Sequence, residues 1–136
     1  MTARFHMQCV VAEADIDGLG HVGNLVYLRW VLDVATAHSA AVGWDMDAYQ
    51  RLGSVWVIKR HEIDYHAPAF AGETITLETW VDEWGAATSL RRTRILRGDT
   101  ELARAATRWV LVSFPGGRPR RVPPEMRADF ERFQPG

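Results

Sequence analysis

The chain has 136 residues, enough for one domain with a substantial core. Its 47% hydrophobic and 24% charged residues are ordinary for a globular protein, and a net charge of −1 implies no bulk attraction to nucleic acid. Cys9 is the only cysteine, which excludes an intrachain disulfide and a cysteine zinc site, and no apolar run is long enough for a membrane span. With no basic-then-apolar leader the chain reads as cytoplasmic. The charge is unevenly spread: residues 1–85 hold five Lys/Arg against twelve Asp/Glu, and residues 86–121 hold nine Arg against two acids. Such asymmetry marks either an anion-binding surface or a solvated strand face.

In chain order, residues 4–12 alternate loosely and suit a first strand. An acidic loop, 13–17, leads into a glycine-rich turn carrying Gly18, Gly20, His21 and Gly23. Glycine there lets backbone N–H groups approach a ligand. A long helix is expected over 24–42, with Asn24 as N-cap and Gly43 as stop. Its apolar residues lie on every side, so it should be buried on most of its surface, with a sheet wrapped around it. Asp33 and His38 are its polar exceptions. The open helix start offers unpaired N–H donors suited to an oxyanion or phosphate.

Residues 44–53 read as a short helical turn capped by Asp45 or Asp47 and closed by Gly53. Strands follow over 54–66, 74–83, 88–97 and 101–114, with a turn or bulge at 84–87 and a hairpin at Gly98-Asp99. Glu62, Asp64 and His66 share one strand face, which fits a solvated face better than a metal set. Pro115-Gly116-Gly117-Arg118-Pro119 ends the last strand, and a short helical piece over 125–133 closes the chain. One strand, one long helix and then four antiparallel strands make an α+β domain: one helix wrapped by one curved antiparallel sheet.

The run Asp17-x-x-Gly20-His21-Val22-x-Asn24-x-x-Tyr27-Leu28-x-Trp30 resembles the hotdog-fold thioesterases, nearest to the 4-hydroxybenzoyl-CoA thioesterase-like and plant-type acyl-ACP thioesterase groups. Two further stretches resemble the family: residues 63–73, where a strand ends at Pro68 and restarts after Gly72-Glu73, and Gly117-Arg118-Pro119-x-x-Val122-Pro123. The resemblance implies a single hotdog domain that hydrolyses an acyl-CoA to free acid and CoA. The alternatives are an acyl-ACP thioesterase and a non-catalytic acyl-CoA-binding module. It also implies a homodimer or homotetramer. No cofactor or metal is expected, and the charge and hydropathy of the chain point to no nucleic-acid or membrane partner.

By the same resemblance Asp17 is the nucleophile or the general base for water. Asp15, two residues away, reads as a solvated neighbour; were both acids close and buried, one would have a raised pKa. A backbone N–H near Gly23 or Asn24, seven residues after the Asp in the 4-hydroxybenzoyl-CoA enzyme, is the oxyanion donor. The Asp-x-x-x-His spacing of Asp17 and His21 is shared with the acyl-ACP enzymes, where an imidazole can orient water or donate to the thioester. Two departures stand out. Leu19 occupies the place of an Asn in those enzymes, and position 24 lacks the aromatic of the 4-hydroxybenzoyl-CoA enzyme. Tyr27 either lines the acyl pocket or belongs to the core. Arg92 and Arg94, on one strand face, and Arg118 are candidates for CoA phosphates or an acidic carrier protein.

Overall fold

The computed structural model describes residues 4–132. Five strands form one antiparallel sheet in the order β1-β3-β4-β5-β2: β1 is Phe5–Val10, β2 Ser54–Tyr65, β3 Thr74–Trp84, β4 Thr88–Arg97 and β5 Thr100–Ser113. The long helix α1, Asn24–Ala41, packs on β3 and β1. A short helix α2, Met46–Leu52, and a last helix α3, Pro124–Arg132, complete the chain. The expected elements are present, with ends shifted by a few residues at most. Phe133, expected in the last helix, lies outside the described residues.

Local chemistry accounts for these boundaries. Asp45 caps α2 by accepting the Ala48 N–H at 2.9 Å, and Gly53 ends it at φ +73. Pro124 opens α3, where a missing N–H costs nothing. The β3–β4 turn requires glycine, since a Cβ on Gly85 would run into the Thr88 hydroxyl. Register shifts at Val81/Glu83 in β3 and at Ile58/Arg60 in β2 interrupt regular pairing.

The helix departs from its expected burial on most sides. Tyr27, Trp30, Val31, Val34, Ala35 and His38 are buried at helical spacing, whereas Leu25 is 80% exposed and Arg29, Asp33 and Thr36 face solvent. Within one chain the sheet reaches only one side of α1, so the opposite side stays open. Asp33 is thus a surface residue, 3.9 Å from Arg29. The core divides along the helix. Tyr27, Trp30, Val31 and Val34 pack on Ile75, Leu77, Ile95 and Leu102 at one end. At the other, Val81, Leu111, Met126 and Phe130 gather under α3 with Trp44, Tyr49, Trp56 and Trp84.

Candidate active site

The acidic loop is tied down at several points before α1 begins. A bridge pairs Ile16 with Val22, the Asp17 N–H donates to the His21 carbonyl at 2.9 Å, and the Gly20 N–H to the Asp17 carbonyl at 3.1 Å. Gly20 sits at φ +85, which a side chain would disfavour. The Val22 N–H donates to Ala69 at 2.9 Å and fastens the loop to the stretch after β2. Its anchor is Asp15. That carboxylate is 8% exposed, accepts the Ala12 N–H at 3.0 Å and pairs with Arg29 at 3.0 Å. The expectation of a solvated Asp15 is therefore corrected: α1 brings Arg29 back over the loop, fourteen residues later in sequence. Burial pushes the Asp15 carboxyl up, but the Ala12 N–H and Arg29 outweigh it and hold it below the usual carboxylate range.

Asp15→Ala should therefore lower stability by about 1–3 kcal/mol, because it strands the Ala12 N–H and a partly buried end of Arg29. Arg29 is half exposed and recovers water, which tempers the loss. A depressed folded pKa means that this stabilisation is complete above the ordinary carboxylate value and disappears as pH falls through the folded one. Urea denaturation at neutral and acid pH checks both points; equal stability of variant and parent at pH 7 would refute them.

Asp17 stands at the start of α1. Its Oδ1 accepts the Leu19 N–H at 2.8 Å, the local turn that Asp commonly makes with the residue two ahead. Its Oδ2 lies 3.8 Å from His21 Nδ1. A methyl group built on Gly23 would stand 3.6 Å from Asp17 Cβ and 4.0 Å from Oδ2. The carboxylate thus borders the helix mouth, and the bare Gly23 leaves the space beside it open. His21 Nδ1 lies 3.2 Å from the Val22 carbonyl, an acceptor that places the proton on Nδ1 and leaves Nε2 as the basic nitrogen.

The N-cap of α1 is Gly23, in extended conformation, rather than Asn24, which is the first helical residue and exposed. The expected Asn24 cap is corrected because the Val26 N–H already bonds the Gly23 carbonyl at 3.0 Å. The Gly23 N–H is also occupied, by the Asp15 carbonyl at 3.1 Å. The backbone N–H groups of Asn24 and Leu25 have no acceptor among the described residues.

The remaining candidates lie elsewhere. Tyr27 is 3% exposed, in edge contact with Trp30 and Tyr65. Arg92 and Arg94 do share the outer sheet face, but each is engaged. Arg92 pairs with Asp82 at 2.7 Å, and Arg94 with Glu101 at 2.8 Å and Glu78 at 3.2 Å. Arg118 is exposed and follows Ser113, which pairs with Ser54 at the opposite end of β2 from Tyr65. Within one chain, then, Asp17, His21 and Gly23 come together, Asn24 follows as the first residue of α1, Tyr27 is buried in the core, and the three arginines stand apart.

The comparisons agree with this architecture. The family model of the thioesterase-like superfamily matches residues 11–130. A 1,4-dihydroxy-2-naphthoyl-CoA thioesterase from Synechocystis superposes at TM-score 0.84, with 20% identity over 94% of this chain and 96% of its own. A Staphylococcus aureus DHNA-CoA thioesterase gives TM-score 0.85, with 14% identity over 94% of this chain and 89% of its own. A third structure, the hypothetical protein SAV2348 of Staphylococcus aureus in complex with CoA, gives TM-score 0.88 with 14% identity over all of this chain and 89% of its own. No curated protein matches the chain significantly in sequence. With its family model spanning nearly the whole described fold, the chain belongs to the thioesterase-like superfamily and is a hotdog-fold thioester hydrolase.

Proposed function

We propose that the protein hydrolyses an acyl-CoA to the free carboxylic acid and CoA, with Asp17 as nucleophile or general base. One observation carries the reading: Asp17 holds one oxygen on Leu19 N–H and keeps the other beside the open start of α1. As general base, Asp17 takes a proton from water while the water oxygen attacks the thioester carbon; as nucleophile, its own oxygen attacks and water later releases the acid. In either case the carbonyl oxygen gains negative charge. The Asn24 and Leu25 N–H groups at the positive end of α1 suit that charge, worth a few kcal/mol per donor. Collapse expels the CoA thiolate, which recovers the proton as thiol. His21, with Nε2 as its basic nitrogen, would orient the water.

Leu19 and Leu25 are each 80% exposed beside this site and Phe70 is 46% exposed, apolar surface that suits an acyl group. The CoA-bound relative from Staphylococcus aureus supports CoA as the thiol half. A thiol-release assay over short, long and aromatic acyl-CoAs tests the reading. Release from at least one class is expected; tight binding of the esters without any release would favour the non-catalytic alternative.

The arrangement also supports a second copy of this chain. Among the described residues β2 pairs only with β5, and Val57 and Ile58 on it are 44% and 39% exposed. A free apolar edge of this kind favours pairing with another strand. A two-fold pairing there would run antiparallel and set the Ser54 end of one chain beside the Tyr65 end of the other. Arg118 would then approach the second copy's Asp17 and become available to CoA phosphates. Analytical ultracentrifugation should give a dimer or a multiple of it; a monomer at micromolar concentration would exclude this arrangement.

A further inference from the structure

A cavity of about 330 Å³ lies between the C-terminal half of α1, α2 and the sheet. It is within the size range of small-molecule sites, roughly 300–1,000 Å³. Ala35 is the lining residue of α1 nearest the helix start, about 16 Å along the axis from Asn24. The cavity is therefore separate from the Asp17 cluster of the same chain. Its walls are aromatic, with Trp44, Trp56, Trp84, Trp109, Tyr49 and Phe130, and one cation, Arg91, lines it. The exposed Asp45 and Met46 are also lining residues, so that side meets solvent.

Arg91 is the anomaly. It is 6% exposed, and its Nη1 donates to His38 Nδ1 at 2.8 Å and to Thr79 Oγ1 at 3.1 Å. Both acceptors are neutral. No carboxylate pairs with it among the described residues, and Nε and Nη2 have no acceptor there. The only acid lining the cavity among the described residues, Asp45, is already committed to the Ala48 N–H at 2.9 Å. Burial pulls Arg91 down to about 10, so it remains charged at neutral pH. A buried charge without a counter-ion is costly, and a guanidinium with free donors matches a carboxylate fork. Two more donors lie close by. The indole N–H groups of Trp84 and Trp109, both lining residues, are buried without an acceptor among the described residues. Trp44, by contrast, donates to Asp129 at 3.0 Å.

We propose that this cavity binds a small apolar carboxylate, its aliphatic or aromatic body between the tryptophans and its carboxylate on Arg91. The carboxylate comes from one of two sources: a free acid, or an acyl group with a carboxylate at its far end. The second source fits the pairing proposed above, in which Val55 and Trp56 line the cavity at the β2 end that would face a second copy's Asp17. That link rests on the proposed hydrolase and its pairing; the binding claim does not.

Calorimetric titration of the full chain with octanoate and 2-naphthoate, beside 1-octanol and 2-naphthol, tests the proposal. Each acid should bind about 10- to 100-fold more tightly than its alcohol, the usual worth of hydrogen bonds to a charged group. Arg91→Gln should erase that preference, and Arg91→Lys should keep part of it. The comparison of acid with alcohol in the unaltered protein stands even if the Gln variant fails to fold. Asp17→Asn should bind the acids unchanged, which separates this site from the hydrolytic one. Competitive inhibition of hydrolysis by the acids, relieved in Arg91→Gln, would assign the cavity to the acyl end of the substrate. Binding with hydrolysis unchanged would assign it to a free acid. No binding, acids no tighter than alcohols, or a preference untouched in a folded Arg91→Gln protein would overturn the proposal.

Discussion

Asp17→Asn is expected to lower kcat/KM for acyl-CoA hydrolysis by about 10²-fold or more, the usual scale for a principal acid–base or nucleophilic group. The substitution changes little else. An asparagine oxygen can still accept the Leu19 N–H that now bonds Oδ1 at 2.8 Å, so the turn should persist. Asp17 is exposed and belongs to no core contact, so thermal stability should hold within about 0.5 kcal/mol. What is lost is the negative oxygen beside Gly23. The loss should fall on kcat and leave KM nearly unchanged, since the charge acts on the reacting carbon rather than on the CoA portion. Thiol-release rates over substrate concentrations from below KM to saturation separate the two constants. Full activity in the variant would remove Asp17 from the mechanism; a raised KM with kcat intact would make it a binding residue instead.

Acid should destabilise the fold well above the carboxylate range, with His38 as the chief cause and His61, whose pKa burial also lowers, adding in the same direction. This histidine is 0% exposed, stacks on Phe5 at 5.3 Å and meets Phe130 edge-on at 5.1 Å. Its Nδ1 accepts a hydrogen bond from Arg91, so protonation would set two donors against each other. Burial first, and then the Arg91 charge, pull its pKa from 6.5 to about 3. The unfolded chain therefore takes up a proton at about 6.5 that the folded one refuses until about 3. Between these values the unfolded state binds more protons, so stability declines as pH falls. The slope for one such group is up to about 1.4 kcal/mol per pH unit. Urea denaturation at intervals from pH 7.5 to 4.5 should show this decline beginning near 6.5. Asp15 cannot produce it, because its own effect lies below the ordinary carboxylate value. His38→Gln should be less stable at pH 7.5 and have a shallower slope below 6.5. A flat profile in the unaltered protein across that window would exclude a neutral buried His38.

Much of the fold was legible because its signals are local. The strand-forming run 74–83, the Gly98 turn and the Asp45 and Gly53 caps each act within a few residues of chain. The chemistry of the Asp17 loop was legible for the same reason: Asp17, His21 and Gly23 are close in sequence and the turn keeps them close in space. Composition could not reveal what happens to charge once the sheet forms. Asp15 reads as a solvated acid until α1 returns Arg29 to it, and Arg92 and Arg94 read as free cations until β3 and β5 bring acids against them. The open flank of α1 was hidden for a related reason. An apolar residue such as Leu25 carries no mark of whether its partner is this sheet or something else.

By itself the sequence determined a single α+β domain and a carboxylate before a helix, because strand period, turn residues and helix ends are short-range physics. Tertiary structure alone decided which charges are paired. It engaged the Gly23 N–H and left those of Asn24 and Leu25 without an acceptor among the described residues, and it buried Arg91 beside His38 with no carboxylate paired to it among those residues. These outcomes depend on contacts between residues far apart in sequence, 53 positions for Arg91 and His38, where burial sets the strength of every charge and no local pattern records it.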